Sequence, residues 1–326
     1  SPMATKDRIL ELLLSCRGSY LSGEELAMSL GVSRAAVWKG VKALRDGGFP
    51  IVGQPNRGYC LETGADILSV HGILGLLDPG GPWKLELRDC VPSTNALLRE
   101  QAFGGAPEGT VLLAISQSQG RGRMGRPFFS PADTGVYLSL LLRPKTGAAA
   151  GRVTTMAALA ACQAVSALSG EDAGIKWVND VFLHGKKVSG ILTEASFSLE
   201  DGTPDYVVLG AGFNLYAPQG GFPEELDKVA GAILPETVDN GKNRLAALFL
   251  QSFWNLYQSP KDHVSAYKER SLVLGKDIWV QTPQGQRSAK ALDLDEHCGL
   301  IVEYPDGTRA VLKAGEVRIR EKKGSI

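Results

Sequence analysis

The chain has 326 residues, of which 44% are apolar, 21% charged and 7% aromatic. Domains commonly hold about 100–200 residues, so this length predicts two or three domains with substantial cores. The 35 basic and 35 acidic residues give a formal net charge of zero, which excludes a uniformly basic coat protein for nucleic acid and an acidic disordered chain. The 39 glycines exceed the average usage of about 7% and predict tight turns or backbone-lined sites.

The five cysteines and four histidines narrow the range of functions further. The cysteines are widely spaced and form no CxxC pair, which is typical of reduced thiols in the cytoplasm and not of a disulfide scaffold. The histidines are isolated from one another, so a zinc site is not expected. No apolar run approaches the ~20 residues that a membrane helix needs. We therefore expect a cytoplasmic protein with no membrane partner.

Residues 1–64 predict three helices followed by a β-hairpin. Ser22 and Glu25 have the spacing of a capping box at the start of the second helix, and Gly31 ends that helix. Ser33 caps the third helix, which carries an apolar face of helical period. Two short strands joined by a turn-rich tip follow within residues 51–61. This order of elements is that of a winged helix-turn-helix domain.

Basic residues are concentrated in the third helix and the hairpin of this domain. Residues 33–57 contain five basic residues and one acidic residue, Asp46, although the whole chain is neutral. Basic side chains on such a helix and on a wing tip are expected to contact phosphates and groove edges. The alternative is a solvated helix face on an ordinary three-helix bundle. We expect operator DNA to be bound by Ser33, Arg34, Lys39, Lys42 and Arg57.

The remainder of the chain predicts two further domains. After a linker at Thr63–Asp66, residues 65–270 mix strand-like runs with helical ones, including the Ala-rich stretch Thr154–Leu168. Residues 271–326 contain short strands separated by Gly and Asp-Gly turns and predict a small β-barrel. The fold class is therefore expected to be α+β and multidomain.

The segment Gln117–Arg126 departs most from an ordinary loop. It contains three glycines and three arginines, and no acidic residue lies between Glu108 and Asp133. Glycines let backbone N–H groups approach an anion, and arginine adds planar donors that match phosphate or carboxylate. No Gly-Lys-Ser/Thr follows, so this is not a P-loop. A disordered basic loop is the alternative to a loop that orders over a phosphate-bearing ligand.

Three other segments carry groups suited to binding an anionic ligand. Lys176–Asp180 offers a lysine, an amide and one carboxylate, enough for a nucleotide-bound Mg²⁺ that takes its remaining ligands from phosphate. Lys187 opens an apolar strand, where it is either a snorkelling edge residue or a cation beside a bound anion. Gly210–Asn214 ends a strand with small residues, which permits a ligand to approach closely.

Together these segments resemble the bifunctional biotin protein ligases that also repress transcription. The motifs of that family appear in order as Ser93–Asn95, Gly120–Gly125, Lys176–Asp180, Lys187–Gly190 and Gly210–Asn214. Any one motif is weak, but five in order, with both flanking domains, extend the resemblance over nearly the whole chain. It implies an N-terminal winged helix-turn-helix, a central α/β ligase domain of the class II synthetase-like type, and a C-terminal SH3-like β-barrel.

The resemblance also implies a reaction in two steps. The carboxylate of biotin attacks the α-phosphate of ATP and gives biotinyl-5′-AMP and pyrophosphate, with Mg²⁺ on the phosphates. A lysine amine on the carboxyl-carrier domain of a biotin-dependent carboxylase then displaces AMP and forms an amide. In this family the adenylate-bound form is a homodimer that represses biotin genes, and Thr193–Leu199 is the strand that we expect to form the dimer interface.

Family motifs assign roles to individual residues, with Arg123 and Lys187 as the catalytic pair. The positions implied to bind biotin are Ser93, Thr94, Gln117, Gly120, Arg121, Arg123, Tyr137, Lys187, Gly190, Leu192 and Gly212. Those implied to bind ATP are Arg123, Arg126, Phe128, Lys176, Asn179, Asp180 and Asn214, with Asp180 also the metal ligand. Phe222 is a candidate for stacking on adenine.

Two positions depart from the family pattern, and two other functions remain open. Val178 replaces a common Pro, and Phe128 replaces a common Trp, which predicts altered nucleotide contacts with activity retained. One alternative is a lipoate-type ligase of the same superfamily, against which the Gly-Arg loop argues. The other is a biotin-sensing repressor with little ligase activity, against which the loop arginines and Lys187 argue.

Overall fold

The computed structural model describes residues 3–63 and 66–321. Its described chain divides into two compact units. The first runs to Pro79 and also includes Glu236–Ala247, and the second comprises Gly80–Pro235 and the chain from Leu248 onward. Two residues of the predicted linker, Gly64 and Ala65, lie outside the described residues. The domain boundaries drawn from the sequence stay predictions.

The first unit contains the predicted winged helix-turn-helix. Its elements in chain order are α1 (Thr5–Ser15), α2 (Gly23–Leu30), α3 (Arg34–Asp46), β1 (Ile51–Gln54), β2 (Gly58–Leu61) and α4 (Val70–Leu74). The capping box is confirmed: the Glu25 N–H donates to Ser22 Oγ at 3.0 Å, and the Ser22 N–H donates to Glu25 Oε2 at 2.6 Å. Gly31 ends α2 in the left-handed conformation, with φ of 64°, which favours glycine.

Close helix packing forms the core of this domain. Its buried members include Ile9, Leu26 and Val37. At Gly40 of α3 an added Cβ would lie 2.5 Å from Ile9 Cδ1, so the absence of a side chain lets α1 and α3 approach. Because apolar burial is the main favourable term in folding, this packing fixes the position of α3 within the domain.

A seven-stranded sheet dominates the second unit. Its strands are β3 (Lys84–Val91), β4 (Thr110–Gln117), β5 (Gly135–Leu142), β6 (Gly174–Lys176), β7 (Asp180–Leu183), β8 (Lys186–Phe197) and β9 (Pro204–Asn214), in the order β3-β4-β5-β9-β8-β7-β6. The β3–β4 pair is parallel, and the other neighbours are antiparallel. The sheet brings together strands that carry three of the family motifs.

Helices accompany this sheet. They are α5 (Thr94–Phe103), α6 (Gly147–Gly151), α7 (Val153–Ser169), α8 (Glu224–Asp227), α9 (Gly241–Gln258) and α10 (Val264–Glu269). The Ala-rich helix predicted for Thr154–Leu168 is α7, and eleven of its residues are buried. A helix that is apolar on most of its circumference is expected to be a core element, and α7 contacts β6, β7, β8 and β9.

The chain ends in a five-stranded antiparallel sheet. Its strands are β10 (Asp277–Thr282), β11 (Gly285–Leu294), β12 (Leu300–Glu303), β13 (Arg309–Leu312) and β14 (Val317–Ile319), in the order β13-β12-β11-β10-β14. Each corresponds to a strand predicted from the turn pattern. The small C-terminal β domain is therefore confirmed.

None of the helices within residues 3–63 and 66–321 is long and apolar enough to cross a membrane. The cytoplasmic location, which rests on cysteine usage and the lack of long apolar runs, stays a prediction.

The capping box at α2 gives a first testable prediction. Replacing Ser22→Ala removes the acceptor for the Glu25 N–H, and loss of such a cap costs about 1 kcal/mol. We expect hydrogen exchange of the α2 amides to accelerate about fivefold in the full chain. As a control, Ser15→Ala removes a hydroxyl that donates to the Leu12 carbonyl within α1 and should leave α2 unchanged. Unaltered α2 protection in Ser22→Ala would contradict the assignment.

Candidate active site

A cavity of about 840 Å³ lies in the second unit. Residues of β8 and β9 line one side, the segment 121–129 covers it, and β14 of the C-terminal domain borders it. Most of the predicted ligand residues line this one cavity: Ser93, Thr94, Gln117, Arg121, Arg123, Arg126, Phe128, Lys176, Asn179, Asp180, Lys187, Gly190, Leu192, Gly212, Asn214 and Phe222. Segments separated by more than a hundred residues in the sequence therefore meet at one site.

The glycine–arginine loop is folded over the cavity. A backbone hydrogen bond holds the two sides of the loop together: the Gly122 N–H donates to the Arg126 carbonyl at 2.7 Å. The Arg123 guanidinium donates to Asn179 Oδ1 at 3.1 Å and to the Gly315 carbonyl at 3.0 Å. Arg126 donates to Glu316 Oε1 at 2.6 Å. The loop is thus fixed both to the turn after β6 and to the C-terminal domain.

Basic side chains outnumber acidic ones in the lining of the cavity. Eight basic and three acidic residues line it. Lys187 Nζ lies 3.1 Å from Asp180 Oδ1, and Lys176 Nζ lies 4.0 Å from Asp180 Oδ2. Burial lowers the pKa of Lys176, and this effect outweighs the nearby Asp180 carboxylate, which raises it. This excess of positive charge in a partly buried site favours a polyanionic ligand.

The C-terminal domain contributes charges that the sequence reasoning missed. Lys276, Glu316 and Arg318 all line the cavity. Burial raises the pKa of the Glu316 carboxyl, but the hydrogen bond from Arg126 and the neighbouring positive charges outweigh burial and leave the pKa below its ordinary value. No local pattern marks these residues, because they reach the site only through the docking of β10 and β14.

A hydrogen-bonded polar cluster occupies a different part of the site. The Thr94 N–H and hydroxyl donate to Gln117 Oε1 at 2.9 and 3.3 Å. Ser139 Oγ lies 2.7 Å from Thr94 Oγ1 and 2.5 Å from Asn95 Oδ1, while Ser93 caps α5. Of these residues, Asn95 and Ser139 were not predicted to have a role. The cluster holds a few polar groups in fixed directions, as a specific small-molecule site requires.

Glycines of neighbouring strands form part of the cavity wall. Gly190 of β8 is paired with Gly212 of β9, and a Cβ at Gly212 would lie 2.4 Å from the Phe128 ring. Two predicted wall residues do not line the cavity. Gly120 is buried against the Phe128 carbonyl. Tyr137 is the strand partner of Gly212 and contacts the Phe128 ring edge-on, and its hydroxyl donates to the Pro131 carbonyl at 2.8 Å.

The predicted DNA-binding residues lie in the first unit and form a separate surface. Ser33 caps α3, and Arg34 is paired with Glu24 at 3.0 Å. On the wing, the Arg57 guanidinium stacks over the Tyr20 ring at 4.2 Å. Lys39 and Lys42 are exposed on α3. The sequence reasoning missed Trp38, which is 55% exposed on the same helix with the Lys42 ammonium 5.5 Å from its ring centroid.

Three family models match successive parts of the chain. Residues 5–60 match an HTH domain, residues 87–214 match the Biotin/lipoate A/B protein ligase family, and residues 273–320 match the Biotin protein ligase C terminal domain. The covering loop lies in the second of these regions, and most of the cavity lining comes from the second and third.

Relatives with established names match over most of their length. The chain is 31% identical to the Bifunctional ligase/repressor BirA of Bacillus spizizenii, over 94% of this chain and 96% of that protein. It is 35% identical to the protein of the same name from Escherichia coli, over 63% and 62% of the two chains. The structure of the Aquifex aeolicus biotin protein ligase in complex with biotin and ATP matches with a TM-score of 0.59 and 25% identity, over 73% and 99% of the chains. The chain therefore belongs to the biotin protein ligase family, among the bifunctional ligase/repressors.

Proposed function

We propose that this protein activates biotin with ATP to form biotinyl-5′-AMP and transfers biotin to a lysine of a carboxyl-carrier domain. The observation that carries the proposal is the mixed lining of one cavity. Ser93, Thr94 and Gln117 line it together with Gly190 and Gly212, and so do eight basic residues, among them Arg123 and Lys187. An apolar acid and a nucleoside triphosphate need both kinds of lining in one site if their reacting groups are to meet.

In the first step two anions must react with each other. A carboxylate oxygen of biotin attacks the α-phosphorus of ATP, the bond from that phosphorus to the bridging oxygen breaks, and pyrophosphate leaves. Arg123 and Lys187 both line the cavity, where Arg123 contacts Asn179 and Lys187 contacts Asp180 of the same turn. Their charges offset the repulsion between the reactants and stabilise the negative charge that develops at the α-phosphate.

The remaining predicted residues orient the two substrates. Thr94 and Gln117 offer hydrogen-bonding groups to the ureido ring of biotin, and the glycine wall admits its apolar bicycle. Arg126, Lys176 and Asn214 also line the cavity and would contact the nucleotide, with Phe222 as an aromatic surface for the base. Phe128, whose ring packs on Gly212, would lie against both substrates. Holding both substrates in a reactive geometry supplies much of the rate enhancement in such reactions.

The donor groups of the site fit a magnesium ion carried by the nucleotide. On the ligase side one carboxylate, Asp180, faces the cavity beside Lys176 and Lys187. Mg²⁺ prefers oxygen ligands and commonly takes one or two carboxylates together with substrate phosphates and water. Asp180 would hold the ion, which when bound neutralises phosphate charge.

In the second step the amine of the carrier lysine attacks the carbonyl carbon of the mixed anhydride. The bond from that carbon to the phosphate oxygen breaks, AMP leaves, and the ammonium loses a proton as the amide forms. Water would destroy the anhydride, so the folded loop has a direct role in keeping it from solvent until the carrier arrives.

An assay of covalent transfer separates the three candidate functions. We expect the protein with biotin and MgATP to label a carrier domain covalently, and lipoate to give no activation.

Lys187→Ala should slow adenylate formation by about 10²–10³-fold, because it removes a charge aimed at the reacting phosphate. The control Lys145→Ala removes an exposed lysine of the same unit and should behave as wild type. Biotin binding without any transfer would leave a biotin-sensing repressor as the function.

The repressor role requires DNA binding by the first unit. Lys39 and Lys42 extend from α3, so replacing either by Ala should weaken binding to duplex DNA of any sequence. The slope of log K against log salt should fall by about 0.9 for each phosphate that the variant no longer neutralises. Titration of duplexes selected from a random pool, at several salt concentrations, measures both effects, with Lys145→Ala as the control. An unchanged slope would place the phosphate contacts elsewhere.

We also infer that a second copy of the chain pairs along β8. In the described chain β7 pairs with β8 over Lys186–Gly190, so the segment 193–197 has one strand neighbour, β9. Such an edge is suited to the addition of a strand, and Phe197 at its end is exposed.

Phe197→Glu should prevent dimerisation in the presence of biotin and MgATP, as measured by sedimentation. Phe103→Glu, at the exposed end of α5, should leave it intact, and a dimer in both would contradict the assignment.

A further inference from the structure

Asn179, which accepts a hydrogen bond from Arg123 of the glycine–arginine loop, lies in the turn between β6 and β7. This turn determines its position. Asn179 in this turn is 4% exposed. Its Nδ2 donates to the Ile191 carbonyl, and its backbone carbonyl accepts from the Ile191 N–H at 3.0 Å. Since the amide nitrogen is committed to Ile191, Oδ1 is the atom that faces the loop. It accepts the hydrogen bond from Arg123.

Two hydrogen bonds from outside the seven-stranded sheet fix the peptides before Asn179. The Tyr267 hydroxyl of α10 donates to the Val178 carbonyl at 2.8 Å. The Trp177 indole N–H donates to the Cys298 carbonyl of the C-terminal domain at 2.9 Å. Both side chains are buried. Tyr267 is not among the residues that line the cavity, so it would act on bound ligands only through its neighbours.

Burial also keeps the Tyr267 hydroxyl in the state that this contact needs. Desolvation raises the pKa of Tyr267 well above its ordinary value, and the nearby Asp180 carboxylate raises it further, against the opposing charge of Arg123. The hydroxyl therefore remains a neutral donor at all ordinary pH values. A phenylalanine would keep the ring and remove the Tyr267 donor from the partly buried Val178 carbonyl.

We propose that Tyr267 is a positioning residue for closure of the arginine loop. By holding the Val178 carbonyl it fixes the peptide that leads into Asn179, and so keeps Oδ1 in place for Arg123. Closure of the loop then depends on a residue outside both the loop and the cavity. The effect of Tyr267 on retention of the adenylate rests on the proposed function, whereas its effect on closure of the loop does not.

The loop itself supplies a measurement that needs no ligand. Trypsin cleaves after arginine but not before proline, so an opened loop is expected to be cut after Arg121 and Arg123 and not between Arg126 and Pro127. Tyr267→Phe in the full chain should accelerate these cuts about fivefold, the effect of losing one buried hydrogen bond. Tyr257→Phe is the matched control, because its hydroxyl contacts Glu108 at 3.1 Å and Tyr257 does not line the cavity.

A second measurement tests the proposed route through Asn179. In protein loaded with biotin and MgATP, Tyr267→Phe should raise the dissociation rate of the adenylate about fivefold, and Tyr257→Phe should not. Arg123→Gly removes the group that Asn179 holds. In that background the further change Tyr267→Phe should alter neither the cut after Arg121 nor adenylate dissociation, since residues acting through one contact are not additive.

The outcomes separate this proposal from the function on which part of it rests. Wild-type cleavage in Tyr267→Phe, acceleration spread equally over sites outside the loop, or full additivity with Arg123→Gly would each overturn the positioning role. If the wild type forms no adenylate while the difference in loop cleavage is present, the proposed ligase activity fails and the positioning role stands. A variant too unstable to assay would be cut throughout the chain. That result is acceleration outside the loop, and it would overturn the positioning role.

Discussion

The contacts of one guanidinium, that of Arg123, organise the site. It joins the glycine-rich loop to the turn after β6 and to the C-terminal domain through Asn179 and the Gly315 carbonyl. The chemistry requires a cation at that position because two anions must meet there. In the proposed reaction the same charge would both close the site and lower the barrier, and a loop without it would leave the reactants exposed to water.

The site also requires strand positions that carry no side chain. A Cβ at Gly212 would collide with the Phe128 ring, and one at Gly210 would lie 2.3 Å from Asn95 Oδ1. Glycine in a strand normally weakens it, and here its neighbours compensate, since β9 lies between β5 and β8 in the middle of the sheet. The glycine part of the cavity wall is therefore built on the central strand of the seven-stranded sheet.

The sequence predicted those features that depend on local chemistry. The capping box at Ser22, the strands of the C-terminal domain and the loop at Gly120–Gly125 all follow from residue type and spacing, and each is present. Features that depend on non-local packing could not be read in this way. Tyr267 reaches Val178 and Arg318 reaches the cavity only because separate segments dock. Tyr137, assigned to biotin binding by motif, instead packs edge-on against Phe128 and does not line the cavity.

The relative strength of the loop contacts explains how the site can both retain an intermediate and admit a carrier. Arg126 and Glu316 form an ion pair in which Arg126 is 56% exposed, and exposed pairs contribute only about 0–1 kcal/mol. The two hydrogen bonds of Arg123 are partly buried, and bonds to charged groups are worth about 1.5–3 kcal/mol each. Closure therefore depends mainly on Arg123. A loop held by a few bonds can open without unfolding the sheet beneath it, so in the proposed second step movement of the loop alone would admit the carrier.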